Sequence, residues 1–243
     1  MDPACGTLSG VTPSILYDDD DLFAVDKPAG LVVHPTYRNR EGTLLDALPP
    51  GSRVVTRLDK LTSGVVVVAK DARAHAALQR ALASPDAEKL YLAIVRGAPP
   101  AAGIVDAPLA HDPSDRRRRI VSAGGAASVT EFETIERGRG QCGEAALLRC
   151  RLRTGRRHQV RVHLASRGWP ILGDAVYGGA VDGMTRHALH AWRVSFVHPA
   201  TRMRVTIEAP APQDFCSLLY SCFAETSSGM SASAFFQFAK NRS

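Results

Sequence analysis

The run Val65-Val66-Val67-Val68-Ala69 constrains this chain more than any other feature. Four β-branched residues followed by alanine leave no polar face for water, so they predict a strand covered on both sides. Such a strand needs packing partners above and below it, and the flanking sequence supplies them. Asp71 stands where it can cap a helix in which Ala74, Ala77, Leu78, Ala81 and Leu82 recur on one face, until Ser84-Pro85 ends it. Residues 89–95 then alternate, with Leu90, Leu92 and Ile94 on one side and Tyr91, Ala93 and Val95 on the other. Upstream, residues 22–25 and 31–33 flank the turn-forming Lys27-Pro28-Ala29-Gly30 and predict a hairpin-like opening. Downstream, residues 128–136 with 146–153, and 192–198 with 203–207, predict paired strands; Thr154-Gly155 predicts a turn and residues 157–166 a short helix. The pattern is one compact domain of mixed α/β class, dominated by strands, at 15–224. A loose leader is expected at 1–14 and a Ser/Ala-rich tail at 225–243, where Phe235, Phe236 and Phe238 offer apolar anchors.

A chain of 243 residues that is 45% hydrophobic buries a sizeable core, which excludes wholesale disorder. Its formal net charge of +6 favours a polyanionic partner. The five cysteines, Cys5, Cys142, Cys150, Cys216 and Cys222, are odd in number, scattered and without a C-x-x-C pair. They argue against a disulfide framework and a zinc ribbon, and suit a reducing cytoplasm. The first ten residues lack the basic-then-apolar order of a signal peptide. No apolar run approaches the ~20 residues that cross a bilayer, so no membrane partner is expected.

Three constellations carry candidate chemistry. The first is Arg57-Leu58-Asp59-Lys60-Leu61-Thr62-Ser63-Gly64, a loop entering the buried strand. Cationic neighbours keep a carboxylate ionised, as a nucleophile must be. A turn aspartate satisfying backbone donors, with Thr62 and Ser63 doing the same, is the alternative. The second is Arg156-Arg157-His158-Gln159-Val160-Arg161-Val162-His163, polar residues set into an otherwise apolar element. His158 and His163 are five residues apart, not the four that put two metal ligands on one helical face, and His187 and His190 lack a carboxylate at a recognised spacing; no metal is expected. The third is a basic supply: Arg116, Arg117, Arg118 and Arg119, then Arg149, Arg151, Arg153, Arg156 and Arg157. Alternate arginines at 149, 151 and 153 line one face of a strand and either track a phosphate backbone or form a solvated charged face. The 116–119 run is either an RNA contact or a mobile loop. Tyr91 is either a core tyrosine or one that stacks on a base and uses its hydroxyl in proton transfer.

Together these segments resemble the RluA-type pseudouridine synthase family. The matching stretches are Asp26-Lys27-Pro28-Ala29-Gly30-Leu31, Arg57-Leu58-Asp59 with Thr62-Ser63-Gly64, and Lys89-Leu90-Tyr91. Then come the 154–163 stretch, Pro170-Ile171-Leu172-Gly173-Asp174, Leu189-His190-Ala191 and His198-Pro199, in the family's order over roughly residues 15–210. The resemblance implies a mixed, largely antiparallel central sheet with helices and loops flanking a cleft. It implies a catalytic aspartate at Asp59, a pairing arginine at Arg161 and an active-site tyrosine at Tyr91. Arg57 matches an arginine that occupies space vacated by the flipped base, and Leu189 an apolar residue lining the uracil pocket. His158, Arg156 and Arg157 are expected at the RNA, which is the implied partner of a monomeric, cofactor-free isomerase. One departure is Thr56, where the family usually has histidine. No S4-type RNA-binding domain fits before residue 15, so the expectation is a bare catalytic domain. The segments at 27–35 and 116–125 look more like ribosomal large-subunit enzymes than transfer-RNA enzymes. Two other readings compete: an RNA-binding or RNA-folding module without catalysis, and a nucleoside or glycoside hydrolase, which the lack of a second carboxylate recognisable as a catalytic partner in the matched motifs disfavours.

Overall fold

The computed structural model describes residues 13–35, 40–181 and 184–223. The expected tail at 225–243, and residues 1–12 of the expected leader, lie outside these. In chain order the elements are strands β1 (Ser14–Asp18), β2 (Leu22–Lys27), β3 (Arg53–Val54) and β4 (Ser63–Ala69), helix α1 (Ala72–Ala83), strands β5 (Glu88–Arg96), β6 (Ala102–Asp106), β7 (Leu109–His111), β8 (Arg119–Val121), β9 (Val129–Gly140) and β10 (Gly143–Leu152), helix α2 (Gln159–Ser166), strands β11 (Leu189–Val197) and β12 (Arg204–Glu208), and helix α3 (Gln213–Phe223). The pairs β1–β2, β2–β4, β3–β4, β5–β10, β9–β10, β6–β9, β7–β8 and β11–β12 all run antiparallel. The expectation of a mixed α/β fold with a largely antiparallel sheet is met. The chain divides into two compact units, Met1–Lys89 with Ala191–Pro210, and Leu90–His190 with Ala211–Ser243.

In the first unit all of β4 is buried. Val65, Val67 and Ala69 pack with Ala74, Leu78 and Leu82 of α1, while Val66 and Val68 pack with Phe23, Val25, Leu31, Val33, Leu44 and Val54. Both faces of the valine run are thus covered, as its composition requires. Asp71 caps α1 by accepting a hydrogen bond from the Ala74 amide at 2.7 Å. The predicted second strand at 31–33 is absent. Leu31 and Val33 are buried as core side chains in extended loop, and the Val32 and Val33 carbonyls accept from the Leu44 and Leu45 amides. Their apolarity reflects burial, not sheet pairing. The opening hairpin is instead β1–β2, closed by Asp19, whose Oδ1 accepts from the amides of Asp21 and Leu22.

In the second unit the long β9–β10 hairpin lies between β5 and β6, with a register shift between Leu147 and Leu148. Helix α2 starts at Gln159, two residues later than predicted. The reason is His158, whose left-handed backbone (φ 59°) cannot continue a helix backwards. Helix α3 was not anticipated; it is seated on the hairpin tip, where the Gln141 amide donates to the Ser221 carbonyl at 3.1 Å.

Candidate active site

Asp59 and Arg57 belong to the first unit. Asp59 is half-buried and Arg57 exposed. The loop between them and β4 is fixed from below by Lys27, which is fully buried. Its ammonium donates to the carbonyls of Pro28, Leu31 and Lys60 at 2.8, 2.9 and 3.2 Å. The Gly30 amide adds a second bond to the Lys60 carbonyl at 2.8 Å, and the Thr62 amide closes the turn onto the Asp59 carbonyl at 3.1 Å. The Lys-Pro-Ala-Gly segment is therefore a clamp on the Asp59 loop, not one turn of a hairpin. Thr56, the departure from the family pattern, is used by the sheet: its hydroxyl accepts from the Val67 amide at 2.9 Å. His34 shares this neighbourhood, and burial and the Arg57 charge lower its pKa.

The remaining predicted residues, Tyr91, Arg156, Arg157, His158, Arg161 and Leu189, belong to the second unit. Tyr91 is half-buried on β5, and Leu189 is buried at the start of β11. The 154–163 stretch separates into two roles. Gln159 is a structural hub: its Oε1 accepts from the Thr154 hydroxyl and the Arg156 amide, and its Nε2 donates to the Val129 carbonyl and Thr130. His163 is likewise spent internally, between Thr130 Oγ1 and the Ala107 carbonyl, each at 2.9 Å. His158 and Arg161 face elsewhere and are joined there by residues to which the sequence gave no role.

Asp174 is the first of these. It makes a two-pronged ion pair with Arg161, at 2.7 Å from Nε and 2.9 Å from Nη2. The side chains are only 5% and 1% exposed. Burial opposes ionisation of Asp174, yet the Arg161 hydrogen bonds and charge, the His187 charge and the Val176 amide together hold its carboxyl below the ordinary range. Tyr177 is the second. Its ring lies 5.0 Å from the Arg161 guanidinium and 5.6 Å from that of Arg118. Its hydroxyl sits 2.9 Å from His158 Nδ1 and accepts from the Arg119 amide at 2.8 Å. A signal was present for Asp174: a charge inside Ile171-Leu172-Gly173-Asp174 must be buried, and a buried carboxylate needs a cation. Tyr177 carried none.

The basic supply is changed by the structure. Arg149 and Arg153 form ion pairs with Glu133 and Glu131, so at these two positions the stripe presents paired cations to phosphate. Arg117 is bound to Asp115 at 2.8 Å, Arg118 lies 3.7 Å from Asp112, and Arg119 lies 2.7 Å from His111 Nδ1. Within the 116–119 run, Arg118 and Arg119 are thus tied to Tyr177, Asp112 and His111, and Arg117 to Asp115. Arg156 and Arg157 are exposed and have no carboxylate partner among the described residues.

Comparison with known proteins places these features in a family. A profile of the family described as RNA pseudouridylate synthase matches residues 21–166. The "Ribosomal large subunit pseudouridine synthase D" of Xylella fastidiosa is 42% identical over 228 residues, covering 84% of this chain and 68% of that protein. The protein of that name from Pseudomonas aeruginosa is 38% identical over 84% of this chain and 70% of its own length. The solved structure of human RNA Pseudouridylate Synthase Domain Containing 1 superposes with a TM-score of 0.69 at 27% identity, covering 87% of each chain. The chain belongs to the RNA pseudouridylate synthase family, whose members isomerise uridine in RNA.

Proposed function

We propose that this enzyme modifies large-subunit ribosomal RNA, with Asp59 as nucleophile, Tyr91 and Arg161 as further catalytic residues, and Arg57, Arg156, Arg157, His158 and Leu189 at the substrate. The observation that carries the choice of RNA is the identity of 42% and 41% to two relatives whose names specify the ribosomal large subunit. The residue roles rest on the matched segments quoted above. A monomer in the cytoplasm is part of the same reading, which the scattered thiols suit.

The reaction breaks the N1–C1′ bond of uridine, turns the uracil and joins its C5 to C1′. Every atom is retained, so no cofactor is required by the balance. A glycosidase needs two carboxylates because its sugar leaving group must be protonated. Uracil leaves with its charge spread over ring and carbonyls, and one carboxylate suffices. Attack on C1′ and removal of a ribose proton both begin from ionised Asp59. The C5 proton must leave at the end, which is the step given to Tyr91. The base must also leave its stack, at a cost of a few kcal/mol, which cationic contacts to phosphate help to offset.

The test is tritium release from large-subunit ribosomal RNA labelled at uridine C5. Wild type should release label and Asp59→Asn should not; equal release removes Asp59 from its role. Mapping pseudouridine in total RNA with and without the protein decides the substrate: sites confined to transfer RNA would overturn the ribosomal choice, and free uracil would indicate hydrolysis.

A further inference from the structure

We infer that Asp174 is a positioning residue, holding the Arg161 guanidinium between its own carboxylate and the ring of Tyr177 in the orientation that turnover requires. The inference rests on the reading that Arg161 takes part in catalysis. It starts from how firmly Asp174 is itself placed. Its backbone lies in a tight wrap: its amide donates to the Ile171 carbonyl at 3.1 Å, and its carbonyl accepts from the Gly179 amide at 2.9 Å. The wrap has no room for a side chain at two of its three glycines. A Cβ on Gly173 would lie 2.0 Å from the Arg186 carbonyl oxygen, and one on Gly179 would lie 1.8 Å from that of Ile171. The carboxylate is pinned as well, because Oδ1 accepts from the Val176 and Tyr177 amides at 3.1 and 3.3 Å.

Arg161 meets this fixed carboxylate through two parallel N–H groups, a geometry that sets the plane of the guanidinium and not only its distance. The Tyr177 ring supplies a second surface at 5.0 Å. That ring is held in turn by its hydroxyl, between His158 Nδ1 and the Arg119 amide. His158 keeps a left-handed backbone at φ 59° at the head of the helix that carries Arg161. For a non-glycine residue this is uncommon and costs conformational energy, of the kind stored where a side chain must be aimed.

The experiment uses the full chain with in vitro transcribed large-subunit ribosomal RNA carrying C5-tritiated uridine, and reads kcat, RNA Kd and Tm separately. Asp174→Glu keeps the charge but displaces the carboxylate by one methylene. It is expected to lower kcat roughly 10- to 100-fold, as a misplacement near 1 Å does, with RNA Kd within about 2-fold of wild type. Asp174→Asn should act in the same direction. In an Arg161→Lys background, which has lost the planar fork, Asp174→Glu should lower kcat no further. Wild-type kcat in Asp174→Glu, or an undiminished extra loss in the Arg161→Lys background, overturns the inference. If Asp174→Asn fails to fold, the charge-preserving Glu and Lys variants still decide. Failure of the underlying reading looks different: Arg161→Lys alone would then turn over at the wild-type rate.

Discussion

Among the buried polar residues, His163 shows how a side chain can look catalytic and be structural. A carbonyl only accepts, so the contact with Ala107 makes Nε2 the donor, and in the neutral ring Nδ1 accepts from the Thr130 hydroxyl. Burial lowers its pKa, with a further push from Arg167. The unfolded chain takes up that proton below about pH 6.5, while the folded chain resists it. Stability from His163 is thus complete above pH ~6.5 and is lost as the pH falls through the folded pKa. His34, lowered by burial and by Arg57, acts in the same sense. Thermal melts from pH 8 to pH 5 should show Tm falling on the acid side, and His163→Gln, which keeps one donor and one acceptor, should reduce that fall. A slope equal to wild type would assign the effect elsewhere. Arg161 presents the opposite case, a charge that must stay. Arg161→Ala strands Asp174 in the interior, and breaking such a pair costs ~3–5 kcal/mol, so urea unfolding should register the loss alongside the loss of turnover. Arg161 was readable from its motif, but its ion pair with Asp174 was not. Asp174 lies on a loop beyond the helix, and only the fold of the 171–179 wrap returns it to the guanidinium.

Elements whose composition answers a local requirement were legible. The valine run demanded cover on both faces and received it, and Asp71 sits at the head of α1 as its side chain favours. Asp71→Ala should cost about 1 kcal/mol by removing that cap. Gly64 belongs to a quoted motif, yet its necessity emerges only in the sheet. Its φ is 116°, and a Cβ there would lie 2.1 Å from the Ala191 carbonyl oxygen on β11. Gly64→Ala combines backbone strain with a clash against backbone, and is expected to lower stability on the order of 3 kcal/mol. Urea midpoints of the two variants should therefore differ clearly, and near-equal midpoints would contradict the close approach. One element departs from the sequence pattern and another escapes it, each for a physical reason. Residues 31–33 have the apolarity of a strand because they fill the core beside Val66 and Val68, without ladder partners. Helix α3 did carry a signal, Phe215, Leu219 and Cys222 at spacings of four and three, all buried, but it is short and follows a proline-rich bend.

At the scale of the whole molecule the question is which charges meet RNA. A formal +6 suggests a general affinity for phosphate, but the count treats every arginine alike. The structure does not. Arg149 and Arg153 are neutralised by Glu133 and Glu131, Arg161 by Asp174, and Arg186 by Asp214. Arg193 is paired with Glu208 at 2.6 Å. Cations already held by carboxylates release few counterions on binding, because phosphate must first compete for them. Arg156 and Arg157 are exposed beside the His158–Tyr177 cluster and have no such competitor among the described residues. Truncating them should weaken binding across sequences and lower the slope of log K against log salt by about one each, as loss of one phosphate contact does. Arg149→Ala should leave the slope near wild type, although a count of cations ranks the three equally. The measurement is a salt titration of RNA affinity from low to physiological ionic strength for Arg157→Ala and Arg149→Ala side by side. Parallel slopes in the two variants would mean that the cross-strand ion pairs open for phosphate and that the 149–153 face joins the RNA surface after all.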